Sequence, residues 1–358
     1  MIKVIHIISR LAYGGAEKLL LDLCRKVDKE KFVVSIIVFE RDNPLKAQFE
    51  AAGIHVEFFE KKGKFDRGIV EQMATYLKNE NPDVVHTHLF AADFWGGQAA
   101  LRAGVAKIVS TKHDNMSEGC VRNFLGRRMR RQFDRVIAIS QATQKFLIKK
   151  EKIAENKTVV IYNGIDVNKF MVEDSQILQS DVIRFGCIGR LSREKGFTYL
   201  VRAMHFLKNK DWHLTLVGDG QERKELEQMA HVVDDQGRIE FAGMVEDVRP
   251  QLAEMDVLVL PSVSEGLGLV ILEAALAGKF VIGSNVGGIP EIITDKETGL
   301  LFSAKNLEQL VRALDWVNDN REEARKMARK LQKEVFENFN INKIIKEYEA
   351  QYESLARK

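Results

Sequence analysis

Short β-branched runs alternate with amphipathic runs along almost the whole chain, and this alternation limits the fold more than any other feature of the sequence. In the first half, residues 3–8, 32–39, 54–59, 83–88, 107–114, 135–140 and 158–162 read as strands with helical patterns between them. The pattern restarts at 183–188 and continues through 212–217, 238–243, 256–260 and 279–283. Strands separated by helices pair in parallel, because a hairpin needs only a short turn. The expectation is an α/β chain of two doubly wound parallel sheets. The polar stretch 172–180 is read as the join, so the domains are expected at 1–175 and 181–342.

Bulk numbers narrow the class. The chain has 358 residues, enough for two domains, with 45% hydrophobic and 29% charged residues, as in globular proteins with sizeable cores. No apolar run approaches the roughly 18–20 residues that a membrane-spanning helix needs. The apolar start, residues 1–9, is short and quickly polar, which reads as a first strand and not a signal peptide. Cys24, Cys120 and Cys187 are far apart, which fits a reducing compartment and no zinc site. A cytoplasmic location is expected. The net charge of +3 is uneven: residues 1–180 carry 29 Lys/Arg against 22 Asp/Glu, the rest 25 against 29.

Candidate chemistry sits on the turns that follow strands, where open α/β sheets bind ligands. Glu265-Gly-Leu-Gly-Leu-Val-Ile-Leu-Glu273 places two carboxylates around a glycine turn and the start of a helix. A helix N-terminus presents free amides and partial positive charge to anions. From spacing alone, solvated loop and helix charges explain this pair equally well. Gly189-Arg-Leu-Ser-Arg-Glu-Lys-Gly196 puts Arg190 and Lys195 on an equivalent turn, suited to a diphosphate. Tyr13-Gly-Gly-Ala-Glu17 follows the first strand and is a further ligand loop. His86, His88 and His113 lie on strands, where a lone histidine is more often structural than catalytic. No acidic partner at metal spacing accompanies them, so no metal is expected. Neither a dinucleotide fingerprint nor a P-loop is present; at Gly218-Asp-Gly220 an arginine, Arg223, stands where the third glycine belongs.

Residues 121–135 form a basic amphipathic pattern. Val121, Leu125, Met129 and Phe133 recur at every fourth position beside Phe124, among Arg122, Arg127, Arg128, Arg130, Arg131 and Arg135. Two readings stand: a domain helix that packs its apolar stripe, or a surface whose arginines meet anionic lipid headgroups. Nucleic acid is not expected, because no recognised binding motif occurs.

Taken in order, Gly14-Gly-Ala-Glu17, His113-Asp114, Asn163-Gly-Ile-Asp166 with Phe170, the Gly189–Gly196 turn, Glu265-x7-Glu273 and Gly287-Gly-Ile-Pro-Glu291 resemble the retaining glycosyltransferases of family 4 from end to end. The resemblance implies the GT-B architecture, two Rossmann-like domains facing across a cleft, with the last helix, 343–358, returning to the N-terminal domain. It implies a nucleotide-diphosphate sugar donor, most commonly a uridine diphosphate sugar. Arg190 and Lys195 would bind the diphosphate, and Glu273 the ribose. Glu265 and His113 would face the sugar, with Gly14 and Gly15 closing on it. Gly268 and Leu269 would meet phosphate or sugar through their backbone, and Gly243 and Val245 would lie near the base. The expected activity is metal-independent, retaining transfer of a hexosyl group to a lipid-linked or saccharide acceptor in surface polysaccharide assembly, with no cofactor. Other readings are a sugar-nucleotide 2-epimerase and a non-catalytic nucleotide-sugar binder.

Overall fold

Among the described residues of the computed structural model, thirteen strands run parallel to their neighbours in two sheets. The structure describes the chain except residues 64, 65, 116–118, 174–176, 210, 235, 357 and 358. Two units result: Met1–Gly164 with Ile341–Lys358, and Ile165–Asn340.

The first unit contains β1 (Ile2–Ile7), β2 (Phe32–Val38), β3 (His55–Phe58), β4 (Val84–His88), β5 (Lys107–Lys112), β6 (Arg135–Ala138) and β7 (Thr158–Val160), in the order 3-2-1-4-5-6-7. The second contains β8 (Ile183–Ile188), β9 (Trp212–Val217), β10 (Ile239–Gly243), β11 (Val257–Leu260), β12 (Phe280–Ser284) and β13 (Leu300–Phe302), in the order 10-9-8-11-12-13. Helices cover both faces of such sheets, so central strands are apolar on both sides; all of Val257–Leu260 is buried. Helix starts follow local chemistry. Asp66 accepts from the amides of Gly68 and Ile69, Ser140 from that of Thr143 and Asn306 from that of Gln309. In each sheet the winding reverses once, between β1 and β4 and between β8 and β11. Turns at these reversals are where ligands bind in doubly wound sheets.

Three expectations are corrected. The join expected at 172–180 moves: residues 174–176 lie outside the described ones, and the residues on either side belong to the second unit. Ile177 and Leu178 are buried, Val172 N–H donates to Leu276 O at 3.0 Å, and Leu178 N–H donates to the buried Asp256 carboxylate at 3.0 Å. The two ends of the second unit instead meet at Ile165, whose N–H donates to Phe339 O at 2.8 Å. The chain therefore leaves this unit where it entered, and the helix Ile341–Ala356 packs Ile344, Ile345, Tyr348 and Tyr352 into the core of the first unit.

The basic pattern at 121–135 is not one surface helix. The helix is Cys120–Arg130, Arg135 opens β6, and Met129 and Phe133 are buried while Val121 and Phe124 are exposed. Arg130 points inward. Its guanidinium donates to Asp93 at 2.6 Å and, through two nitrogens, to Glu151 at 2.8 Å each. Thr87 and Ser110 hydroxyls complete the shell around Asp93 at 2.6 and 2.7 Å. A buried guanidinium is tolerated because both carboxylates neutralise it. Third, the strand expected through residue 114 ends at Lys112, and β13 is an additional strand. Among the described residues no helix is long and apolar enough to cross a membrane.

Candidate active site

In the second unit, the turns after β8 and β11 are tied to each other, and the second of them to the end of β12. Val263 N–H donates to Glu194 O at 2.8 Å, and Ser284 Oγ donates to Ser262 O at 2.6 Å. Gly196 is left-handed at φ +70°, and a Cβ there would lie 2.1 Å from Pro261 O. Only glycine allows the two turns to approach this closely. Directly after Gly196 the helix Phe197–Met204 buries Phe197, Leu200, Val201 and Met204, which anchors the turn.

This frame brings Lys195 and Glu265 together. Lys195 Nζ donates to the Glu265 carboxylate at 2.7 Å, and Ser262 Oγ donates to the same oxygen at 3.1 Å. Arg190, on the same turn as Lys195, reaches Glu194 at 3.5 Å while remaining largely exposed. Burial pushes the Glu194 carboxyl up, but the Ser192 hydroxyl, its own backbone amide and the charges of Arg190 and Lys195 outweigh that and hold it below the usual range. The turn is thus electropositive. Gly268 caps the helix Leu269–Leu276, whose free amides begin beside Glu265, and Glu273 sits half-buried one turn inside. Two cations and a helix N-terminus gathered at the carboxyl ends of the central strands β8 and β11 suit a diphosphate. Gly243 accepts from Gly218 N–H at 2.7 Å and ends β10, so residues 241–243 are strand and the loop begins after them, with Val245 half-buried.

In the first unit, Gly14 precedes the helix Gly15–Lys26, and Glu17 folds back beneath it; a Cβ on Gly14 would lie 2.3 Å from the Glu17 carboxylate. Burial raises the Glu17 carboxyl above its usual range. His113 follows β5, and its Nε2 lies 3.3 Å from His88 Nδ1. Its Nδ1 is buried and has no partner among the described residues. Burial lowers the His113 pKa to about 4, so the ring is neutral at ordinary pH.

Sequence reading missed the company His113 keeps. His6 and His86 face each other across β1 and β4, and both are fully buried, with His88 beside them. Ring nitrogens of His6, His86 and His88 lie within 4.8 Å of one another, the one group among the described residues spaced to hold a metal ion. Both nitrogens of His86 are already engaged, by Tyr352 Oη at 2.7 Å and Thr111 Oγ1 at 2.8 Å. The signal was available: polar residues at alternate positions of otherwise apolar strands. Ser262 carried no such signal, because a serine three residues before a glutamate is ordinary.

Comparison with known proteins bears on the fold and the family. Profiles described as Glycosyltransferase Family 4 and Glycosyl transferases group 1 match residues 13–169 and 183–320. N-acetyl-alpha-D-glucosaminyl L-malate synthase of Bacillus anthracis is 29% identical over 82% of this chain and 80% of its own. The UDP-Gal:alpha-D-GlcNAc-diphosphoundecaprenol alpha-1,3-galactosyltransferase of Escherichia coli is 28% identical over 75% of this chain and 74% of its own. The crystal structure of Anabaena HepE in complex with UDP and glucose superposes with a TM-score of 0.89 at 24% identity, covering 99% of this chain and all of that one. With one profile on each sheet and the GT-B architecture in common, the chain belongs to glycosyltransferase family 4, the glycosyl transferases group 1.

Proposed function

We propose that the protein is a retaining hexosyltransferase that takes its sugar from a uridine diphosphate sugar and passes it to a lipid-linked or saccharide acceptor in surface polysaccharide assembly. The observation that carries this reading is the Lys195–Glu265 pair at 2.7 Å with Arg190 on the same turn. Cleaving a sugar–phosphate bond puts positive charge on the anomeric carbon and negative charge on the leaving diphosphate. Arg190, Lys195 and the amides at Gly268 and Leu269 take the leaving charge without a metal, usually the largest catalytic contribution. Glu273 holds the ribose, Gly243 and Val245 border the base, and Gly14, Gly15, Glu265 and His113 meet the sugar. Glu265 is engaged by Lys195 and Ser262, so it positions the sugar and does not act as a nucleophile. Retention then follows from attack on the leaving-group face, with the departing phosphate accepting the acceptor's proton. The galactosyltransferase relative is named for a UDP donor and a diphosphoundecaprenol acceptor, which supports both substrate classes.

A peripheral position on the cytoplasmic face suits a lipid-linked acceptor. Its support is the helix Cys120–Arg130, where Val121 and Phe124 are exposed beside Arg128, with Arg131 just beyond; Arg130 is excluded by its buried ion pairs.

Thermal melting with UDP-glucose, UDP-galactose and UDP-N-acetylglucosamine, followed by UDP-release assays, tests the proposal. A matching donor raises the melting temperature by mass action. No shift with any of them, and no UDP release in wild type, removes the donor assignment. An epimerised nucleotide sugar formed from donor alone would replace it with the epimerase reading.

A further inference from the structure

An apolar sheet face is the least expensive surface for a helix to cover, yet beneath the helix Ile341–Ala356 the strands β1 and β4 present His6, His86 and His88. Burial lowers all of these, His6 to about 3 and His86 and His88 well below the usual histidine range, so every ring is neutral. A neutral imidazole donates from one nitrogen and accepts at the other. His6 Nδ1 lies 3.0 Å from His88 Nε2, and His88 Nδ1 lies 3.3 Å from His113 Nε2. Only two proton arrangements satisfy both bonds: every proton directed from His6 toward His113, or every proton directed the other way. One ring cannot change tautomer alone without setting two N–H groups, or two lone pairs, against each other.

His86 is a wall of this chain and not a link. Its ring lies tilted against that of His88, centroids 4.3 Å apart, and the hydroxyls of Tyr352 and Thr111 occupy its nitrogens. The chain itself does not close. It stops at His6 Nε2 and at His113 Nδ1, both buried and, among the described residues, without partners. A purely structural network satisfies its members, and an orphaned buried nitrogen calls for an explanation.

We propose that His88 and His6 are positioning residues for His113: they lock its ring and its tautomer so that Nδ1 meets a hydroxyl of the donor sugar. The proposal rests on reading His113 as a donor-sugar contact. A hydroxyl can donate or accept, so either direction of the chain serves, provided it is fixed before the donor arrives.

Ring-nitrogen NMR of full-length protein with 15N-labelled histidine tests the lock without any donor. Wild-type His113 is expected in a single neutral tautomer, and His88→Phe or His6→Phe should relax it toward the mixture of a free imidazole. With UDP-glucose as the probe for UDP release, both variants should lower kcat about tenfold with little change in KM, within the range that small misplacements produce. His88→Gln, whose amide both donates and accepts, should recover most of the loss. Melting curves separate these effects from unfolding. An unchanged His113 tautomer in both phenylalanine variants overturns the proposal, as does kcat falling only in step with the folded fraction. Stoichiometric zinc in the purified protein would also overturn it, because the nitrogens would then be ligands. If the tautomer relaxes while His113→Ala keeps full UDP release, the lock stands and the donor-contact reading falls.

Discussion

Lys195 and Glu265 hold each other at 2.7 Å, and this pairing decides what single substitutions do. In the proposed reading a diphosphate would compete with Glu265 for the ammonium, so that Lys195 would exchange one anionic partner for another. Lys195→Ala is expected to lower kcat by about 10²–10³, the usual effect of removing one donor to developing charge. Arg190→Ala should do the same with less effect on stability, because that side chain is mostly exposed. Glu273→Ala should act on KM for the donor, by roughly 10- to 100-fold if one hydrogen bond to a charged group is lost. Steady-state kinetics with the donor found by thermal shift separates these outcomes. Wild-type constants in all three variants would overturn the site assignment. The residue types and their turns were legible in sequence. Which two touch was not, because Lys195 and Glu265 lie 70 positions apart and meet only through Gly196 against Pro261.

Between β1, β4 and the helix Ile341–Ala356, the buried histidines make stability depend on pH. Their folded pKa values lie below the ordinary value near 6.5, so between that value and about 4 for His113, or about 3 for His6, the unfolded chain binds protons that the native one does not. Stability is therefore full above pH 6.5 and falls as pH drops, by up to about 1.4 kcal/mol per pH unit for each fully buried imidazole. Urea midpoints between pH 7 and 4.5 should fall steeply in wild type and less so in His6→Phe; parallel slopes would count against the buried neutral rings. A second element-scale device is Arg130, which joins the helix Cys120–Arg130 to Asp93 and Glu151. Arg130→Ala leaves two buried carboxylates without their cation and is expected to cost about 3–5 kcal/mol in denaturant unfolding. Sequence pattern misassigned this residue to a solvated or lipid-facing surface. The periodicity of a helix shows which positions share a face, and it is silent on an acidic residue 37 positions earlier that waits inside.

Across the whole molecule, the last helix belongs to the first unit although it follows the second in the chain. It buries Ile341, Ile344, Ile345, Tyr348, Tyr352 and Leu355, and each large apolar side chain contributes roughly 1.5–3 kcal/mol. Their sum is comparable with the whole stability of an average domain, about 5–15 kcal/mol. A chain ending at Asn340 is therefore expected to lose the folded first unit, seen as loss of its cooperative melt and as rapid proteolysis of residues 1–164. A cooperative melt of the first unit in that truncation would show the helix to be dispensable.

By itself the sequence determined the parallel α/β class, the two sheets and the glycine turns that carry the proposed site, since these depend on local periodicity and on glycines beside strands. Charged residues after β8 and β11 already suggested an anion site, because strand ends and helix N-termini are local features. Tertiary structure alone decided where the units divide, because Ile165 and Phe339 must meet for the second unit to close. It turned Arg130 inward, added the three-residue β13 that is too short for any periodicity, and linked His113 to His88 and His6. Each of these depends on partners distant in sequence, and only packing of the strands and helices brings such partners within a hydrogen bond.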